Sequence, residues 1–148
     1  MGLWEYHDYD GDGSYEAFAL IADGPNSFGI ENIYFIDSSG YITNFGSRNG
    51  DYYENDNHYR TCEGKGFFWS DYGAYGSGHS TFLFSVKDGI PYALDLSDQI
   101  QGFYEENGVF YTTENEFLEE GGHLYPEIEL VYDSGTQQFY KGERISDG

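Results

Sequence analysis

Four times in this chain a β-rich run meets a tight turn and is followed at once by a second run. Ile33 to Ile36 turns at Asp37-Ser-Ser-Gly40 and returns as Tyr41 to Phe45. Phe82 to Val86 turns at Asp88-Gly89 and returns as Ile90 to Leu96. Phe103-Tyr104 turns at Asn107-Gly108 and returns as Val109 to Thr113. Ile128 to Tyr132 turns at Asp133-Ser-Gly135 and returns as Gln137 to Tyr140. Asp-Gly and Asn-Gly are strong hairpin signals because both central residues of a type I′ turn need φ > 0. A chain of consecutive hairpins folds as an antiparallel meander. With 20% aromatic residues, 21 Gly and a single Met, the composition also favours strands and turns over helices. The expectation is therefore one all-β domain over residues 1–148, with eight to ten strands. Its apolar runs would be buried in a two-layer sandwich or a curled, barrel-like or blade-like sheet. Helix is expected only as a single turn over Glu114 to Glu120, and Pro91, just after a turn, suits an edge strand.

Ahead of the first hairpin stands Asp8-Tyr-Asp-Gly-Asp-Gly-Ser-Tyr-Glu16. Asp8, Asp10 and Asp12 alternate, so one turn can aim all three at a common centre. Gly13 permits the sharp bend, and the Ser14 carbonyl and the Glu16 carboxylate fall at the next two positions. Calcium takes about six to eight oxygens in flexible geometry, and this 1-3-5-7-9 spacing supplies five positions. A complete EF-hand would carry a bidentate Glu at the twelfth position, which here is Ala19.

These residues resemble the calcium loops of FG-GAP and VCBS-type repeats, the blade units of integrin-like β-propellers. Such loops run D-x-D-G-D-G-x-x-[DE] straight into a strand. The similarity covers about residues 8–45, with no second copy of the motif. It implies calcium held for structural reasons and does not imply an activity. It also implies that Tyr15 to Ala22, ambiguous by propensity alone, is a strand; with neither face polar, that strand would be buried on both.

Six basic residues against twenty-seven acidic ones leave a formal charge of −21. Such a field repels nucleic acid and anionic membranes and attracts divalent cations. No apolar run is long enough to span a membrane, so no membrane insertion is expected. Cys62 is alone, which excludes an intrachain disulfide and a cysteine-based zinc site. No export signal is visible ahead of Leu3-Trp4. A secreted or cell-surface location is expected on the calcium loop alone, since such loops saturate most readily where the ion is abundant.

Between the first two hairpins, residues 47–59 are polar, and Asp51, Glu54, Asp56 and His58 there follow no known ligand spacing. A short strand is expected at Lys65 to Ser70. Ser70 to Ser80 is rich in Gly, Ser and Tyr, and long loops of that composition are often functional. Trp69, Tyr72 and Tyr75 are candidates to stack on a glycan or a protein ligand. No catalytic residues are assigned. Asp71, Ser77 and His79 lack the separation and the elbow spacing of a triad. Two functional classes follow: a non-enzymatic, calcium-stabilised β module binding a glycan or protein, and a glycan hydrolase using two of Glu105, Glu106, Glu114, Glu116, Glu119 and Glu120.

Overall fold

At the two Asp-Gly and Asn-Gly hairpin turns the backbone adopts the conformation that the residue types dictate. Asp88 and Gly89 have φ of 52° and 77°, and Asn107 and Gly108 have 53° and 84°. The computed structural model describes residues 2–22, 30–49, 58–73 and 79–147. These contain fourteen strands and no helix, more strands than expected from sequence.

β1 (Gly2–His7), β2 (Glu16–Ala22), β3 (Ile30–Ile36) and β4 (Ile42–Asn49) form the first sheet in that order. β5 (Tyr59–Cys62), β6 (Lys65–Gly73), β7 (His79–Lys87) and β8 (Ile90–Ala93) form the second, with the Pro91 strand at its edge. In the third sheet β9 (Gln101–Glu106) and β10 (Val109–Thr113) are followed by β13 (Glu127–Asp133) and β14 (Gln138–Ser146). A two-stranded extension, β11 (Glu116–Phe117) with β12 (His123–Leu124), interrupts that third meander. All pairings within the sheets are antiparallel. Each four-stranded meander is blade-like in strand order, and none closes into a barrel.

The helical turn expected at Glu114 to Glu120 is therefore corrected to half of a hairpin. Gly121 and Gly122 have φ of 88° and 93° and turn the chain back, and Leu118 N–H bonds to the Gly122 carbonyl. Residues of the left-handed region cannot continue a right-handed helix.

Two apolar cores hold the sheets face to face, with the second sheet in the middle. Phe68, Phe82, Phe84 and Val86 point to the first sheet, where they meet Phe18, Leu20, Ile33 and Phe35. Phe67, Trp69 and Leu83 point the other way, to Phe103, Phe110, Leu130 and Phe139 of the third sheet. Hence residues 65–70 and 81–86 are buried without a break. That explains the uninterrupted Phe-Phe-Trp and Phe-Leu-Phe runs, since a strand covered on both faces does not alternate. In the first core Phe18 stacks on Phe68 at 5.2 Å and touches Phe35 at 5.0 Å and Tyr9 at 5.1 Å between centroids. Phe18→Ala would remove this keystone at a cost of about 3–5 kcal/mol.

Candidate metal centre

The loop joining β1 to β2 is built around one carboxylate. Asp8 accepts Gly11 N–H at 2.9 Å and Asp12 N–H at 3.2 Å on Oδ1, and Gly13 N–H at 2.9 Å on Oδ2. Gly11 and Gly13 take φ of 74° and 89°, so the chain can coil tightly round that side chain. Asp12 accepts Ser14 N–H at 2.8 Å.

Two bonds fasten the loop to the second sheet. Asp10 Oδ2 accepts Gly89 N–H at 2.8 Å, which reaches the turn between β7 and β8. The Tyr9 carbonyl accepts Gly66 N–H at 2.8 Å, at the start of β6. Tyr9 is itself fully buried, with its hydroxyl donating to the Glu5 carbonyl at 2.8 Å. A side chain on Gly66 would fall 2.7 Å from the Tyr59 ring and 3.0 Å from that of Tyr9, so only glycine admits this approach.

Glu16 opens β2 with its side chain on the core face and is 2% exposed. Within hydrogen-bonding range it accepts Tyr9 N–H at a long 3.4 Å. Burial, and then the Asp10 carboxylate, push its pKa up to about 7, against the pull of that N–H. Asp12 and Asp8 add to the rise. One carboxylate oxygen each from Asp8, Asp10 and Glu16 lies within 4.8 Å of the others. Three hard oxygens converging beside a buried Glu16 that has one long hydrogen bond could hold a hard cation.

Of the five expected ligands, then, Asp8, Asp10 and Glu16 come together. Asp12 is exposed, lies outside that group and is engaged by Ser14 N–H. Ala19, where an EF-hand would have its last acid, is buried in β2 and is no part of the loop.

Of the expected aromatic platform, Trp69 alone is described in full. Trp69 is 4% exposed and packs in the second core, under the Arg60 guanidinium at 5.2 Å from its ring centroid. The third sheet covers it, through the core shared with Phe103, Phe110, Leu130 and Phe139. The side chain of Tyr72, and Tyr75 as a whole, lie outside the described residues, as do Asp51, Glu54, Asp56 and Ser77. His58 is buried, with Nδ1 2.9 Å from the Trp69 carbonyl. Asp71 is taken up by the Thr81 hydroxyl across the β6–β7 pair.

Two of the acids weighed for hydrolysis are taken up by ion pairs. Glu114 pairs with Lys141 at 3.1 Å and Glu116 with Arg144 at 2.9 Å, both at the surface. Glu105 lines an open depression of about 230 Å³ together with Tyr59, Arg60, Thr61 and Phe110. It is the one carboxylate in that lining.

An exposed aromatic surface that no sequence motif signals lies on the first sheet. Trp4 and Tyr6 alternate along β1, but they point outward, at 60% and 64% exposure. Among the described residues no helix is long and apolar enough to cross a membrane. Compared with known proteins, the chain matches no family model, no curated sequence and no solved structure.

Proposed function

We propose that this chain is a calcium-stabilised, non-enzymatic β module, extracellular or at a cell surface, that binds a glycan or a protein. The observation that supports the reading is Glu16. A carboxylate set in the core face of β2, with two aspartates aimed at it, is held at a cost that a divalent cation removes. Calcium would be held by Asp8, Asp10 and Glu16, whose oxygens converge, with the Ser14 carbonyl at the seventh position of the spacing, while Asp12 stays with Ser14 N–H. Its role would be mechanical: it would tie the loop, and through Asp10 the turn at Gly89, into one unit. A glycan hydrolase is less well supported. It needs two acids about 5–10 Å apart across a cleft, whereas the depression at Arg60 carries Glu105 without a second acid.

The test is a thermal melt at constant ionic strength, in chelator and then in several millimolar calcium. With no acid from Ala19, the dissociation constant is expected on the order of 10⁻⁴ to 10⁻³ M, as in extracellular modules. At a hundredfold excess over it, the gain is about 2.7 kcal/mol. Identical midpoints in the two solutions would overturn the reading.

A further inference from the structure

We infer that the outer face of the first sheet is a binding surface for a neutral glycan chain, an inference that rests on the module reading above and specifies its ligand. Directly opposed residues of antiparallel strands share a face. The pairs Trp4–Ala19, Tyr6–Ala17, Ala19–Tyr34 and Ala17–Ile36 therefore set these side chains on one surface, away from the second sheet. Ile42 extends it across β4 through its pairing with Ile36. Tyr15 joins it from the metal loop, its ring 5.3 Å from that of Tyr6. Trp4, Tyr6, Tyr15 and Ile42 are between 50% and 64% exposed. Ala17 and Ala19 stand between them and are buried, at 5% and 0% exposure, so the surrounding rings are themselves the accessible surface.

Charge selects the occupant. Among the described residues this face carries no Asp, Glu, Lys or Arg, although the chain as a whole stands at −21. A second copy would bring a further −21 against it, and a polyanion would be repelled. A cationic partner would find its counter-charges elsewhere on the surface. What the face offers is flat rings with polar edges, the indole N–H and the tyrosine hydroxyls. A neutral sugar ring has the matching form, with apolar C–H faces and a rim of hydroxyls. Two residues of strand separate Trp4 from Tyr6, about 7 Å, so the two rings can serve successive sugars of one chain.

The experiment uses the intact protein with cellulose, chitin, starch granules, a soluble neutral β-glucan and a galactomannan as probes. Polygalacturonate and alginate are the charged counterparts. At least one neutral polysaccharide is expected to deplete the protein from solution, and neither polyanion is. Trp4→Ala and Tyr6→Ala are each expected to weaken that binding about tenfold or more, with the melting midpoint nearly unchanged because both rings are exposed. Trp4→Phe, which keeps a ring, should restore most of it. The inference is overturned if no neutral polysaccharide is retained, or if retention survives both alanine variants. It is equally overturned if sedimentation shows self-association that Trp4→Ala abolishes, since the face then belongs to a second copy. A calcium-dependent melt without glycan binding removes this inference and leaves calcium stabilisation standing. Glycan binding without a calcium effect does the reverse.

Discussion

Among the described residues the first sheet has two acidic turns, and they solve the same problem differently. At the β3–β4 turn, Asp37 Oδ1 accepts Ser39 N–H at 2.9 Å, the Ser39 hydroxyl at 2.7 Å and Tyr41 N–H at 2.9 Å. The Ser39 hydroxyl and then the Tyr41 N–H hold its pKa below the usual carboxylate value. The charge is half-buried and is answered by local donors. At the β1–β2 loop, Asp8 is answered in the same way by three backbone N–H groups. Asp10 and Glu16 are a different case: one is committed to Gly89, and the other is buried beside it with one long bond. A turn with one acid is complete on its own. A loop that adds a second and a third acid around a buried site leaves charge that backbone donors do not neutralise.

The largest effect expected from that contrast is at Glu16. In the metal-free protein at pH 8, Glu16→Gln should raise stability, by up to on the order of 3 kcal/mol, because the folded carboxyl sits near 7 rather than its ordinary 4.5. The same variant should lose the calcium response. Asp37→Asn should do the opposite, lowering the midpoint equally in chelator and in calcium. If Glu16→Gln destabilises the metal-free protein, the loop is as self-sufficient as the turn and the contrast fails.

Next in size is the pH dependence. Between about pH 4.5 and 7 the folded chain keeps a proton on Glu16 that the unfolded chain has released. The corresponding stability is complete below that window and declines as pH rises through it. Asp37 acts at the acid end: its contribution is present above the ordinary carboxylate pKa and is lost as pH falls through its lowered value. Melts in chelator from pH 4 to 8 should show the decline toward pH 8, and saturating calcium should flatten it. The calcium gain itself should be larger at pH 8 than at pH 5, because the ion competes with the proton.

Asp10 and Asp12 should separate by a smaller margin. In calcium, Asp10→Ala should cost about 2–3 kcal/mol, most of the metal's contribution. In chelator it should cost little, because losing the bond to Gly89 is offset by relieving Glu16. Asp12→Ala should cost about 1 kcal/mol in either solution, the value of a hydrogen bond to Ser14 N–H. Equal effects from the two would mean that Asp12 swings into the site. Smallest of all is Ser39→Ala, which removes one of three donors to Asp37 and should shift the acid limb of the melt without touching its calcium response.

Where local chemistry decides the outcome, the fold was legible in the residues. Asp88-Gly89 and Asn107-Gly108 specify their turns because their own backbones must take φ > 0. The Glu63-Gly64 turn does the same with φ of 52° and 77°, but Glu is no hairpin signal and β5 went unseen. β1 carries no clear strand signal because its rings face outward, against the usual sense of an amphipathic strand. Trp69 shows the other limit. In a run of buried residues nothing distinguishes a ring facing one core from a ring facing solvent, since that depends on a third sheet contributed by residues beyond 100. In the loop, the spacing from Asp8 to Glu16 was legible. That Glu16 would be the buried member, and Asp12 the peripheral one, follows from the pairing of His7 with Glu16 and from the contact with Gly89.

The placement of one sheet between two others also bears on how the molecule opens. Each meander is nearly continuous in sequence, so its own pairings form over short chain separations and at little entropic cost. Either outer sheet can detach while the remaining pair stays folded, exposing one core. The amides of β6 and β7 are released to solvent only when both neighbours have left. Hydrogen exchange should therefore be graded across the three layers, slowest at Phe67–Trp69 and Phe82–Phe84 and faster on either side. Whatever tightens the β1–β2 loop onto Gly66 and Gly89 acts on one of those two separations alone. A ligand there would protect the first interface and leave the exchange of β13 and β14 unchanged.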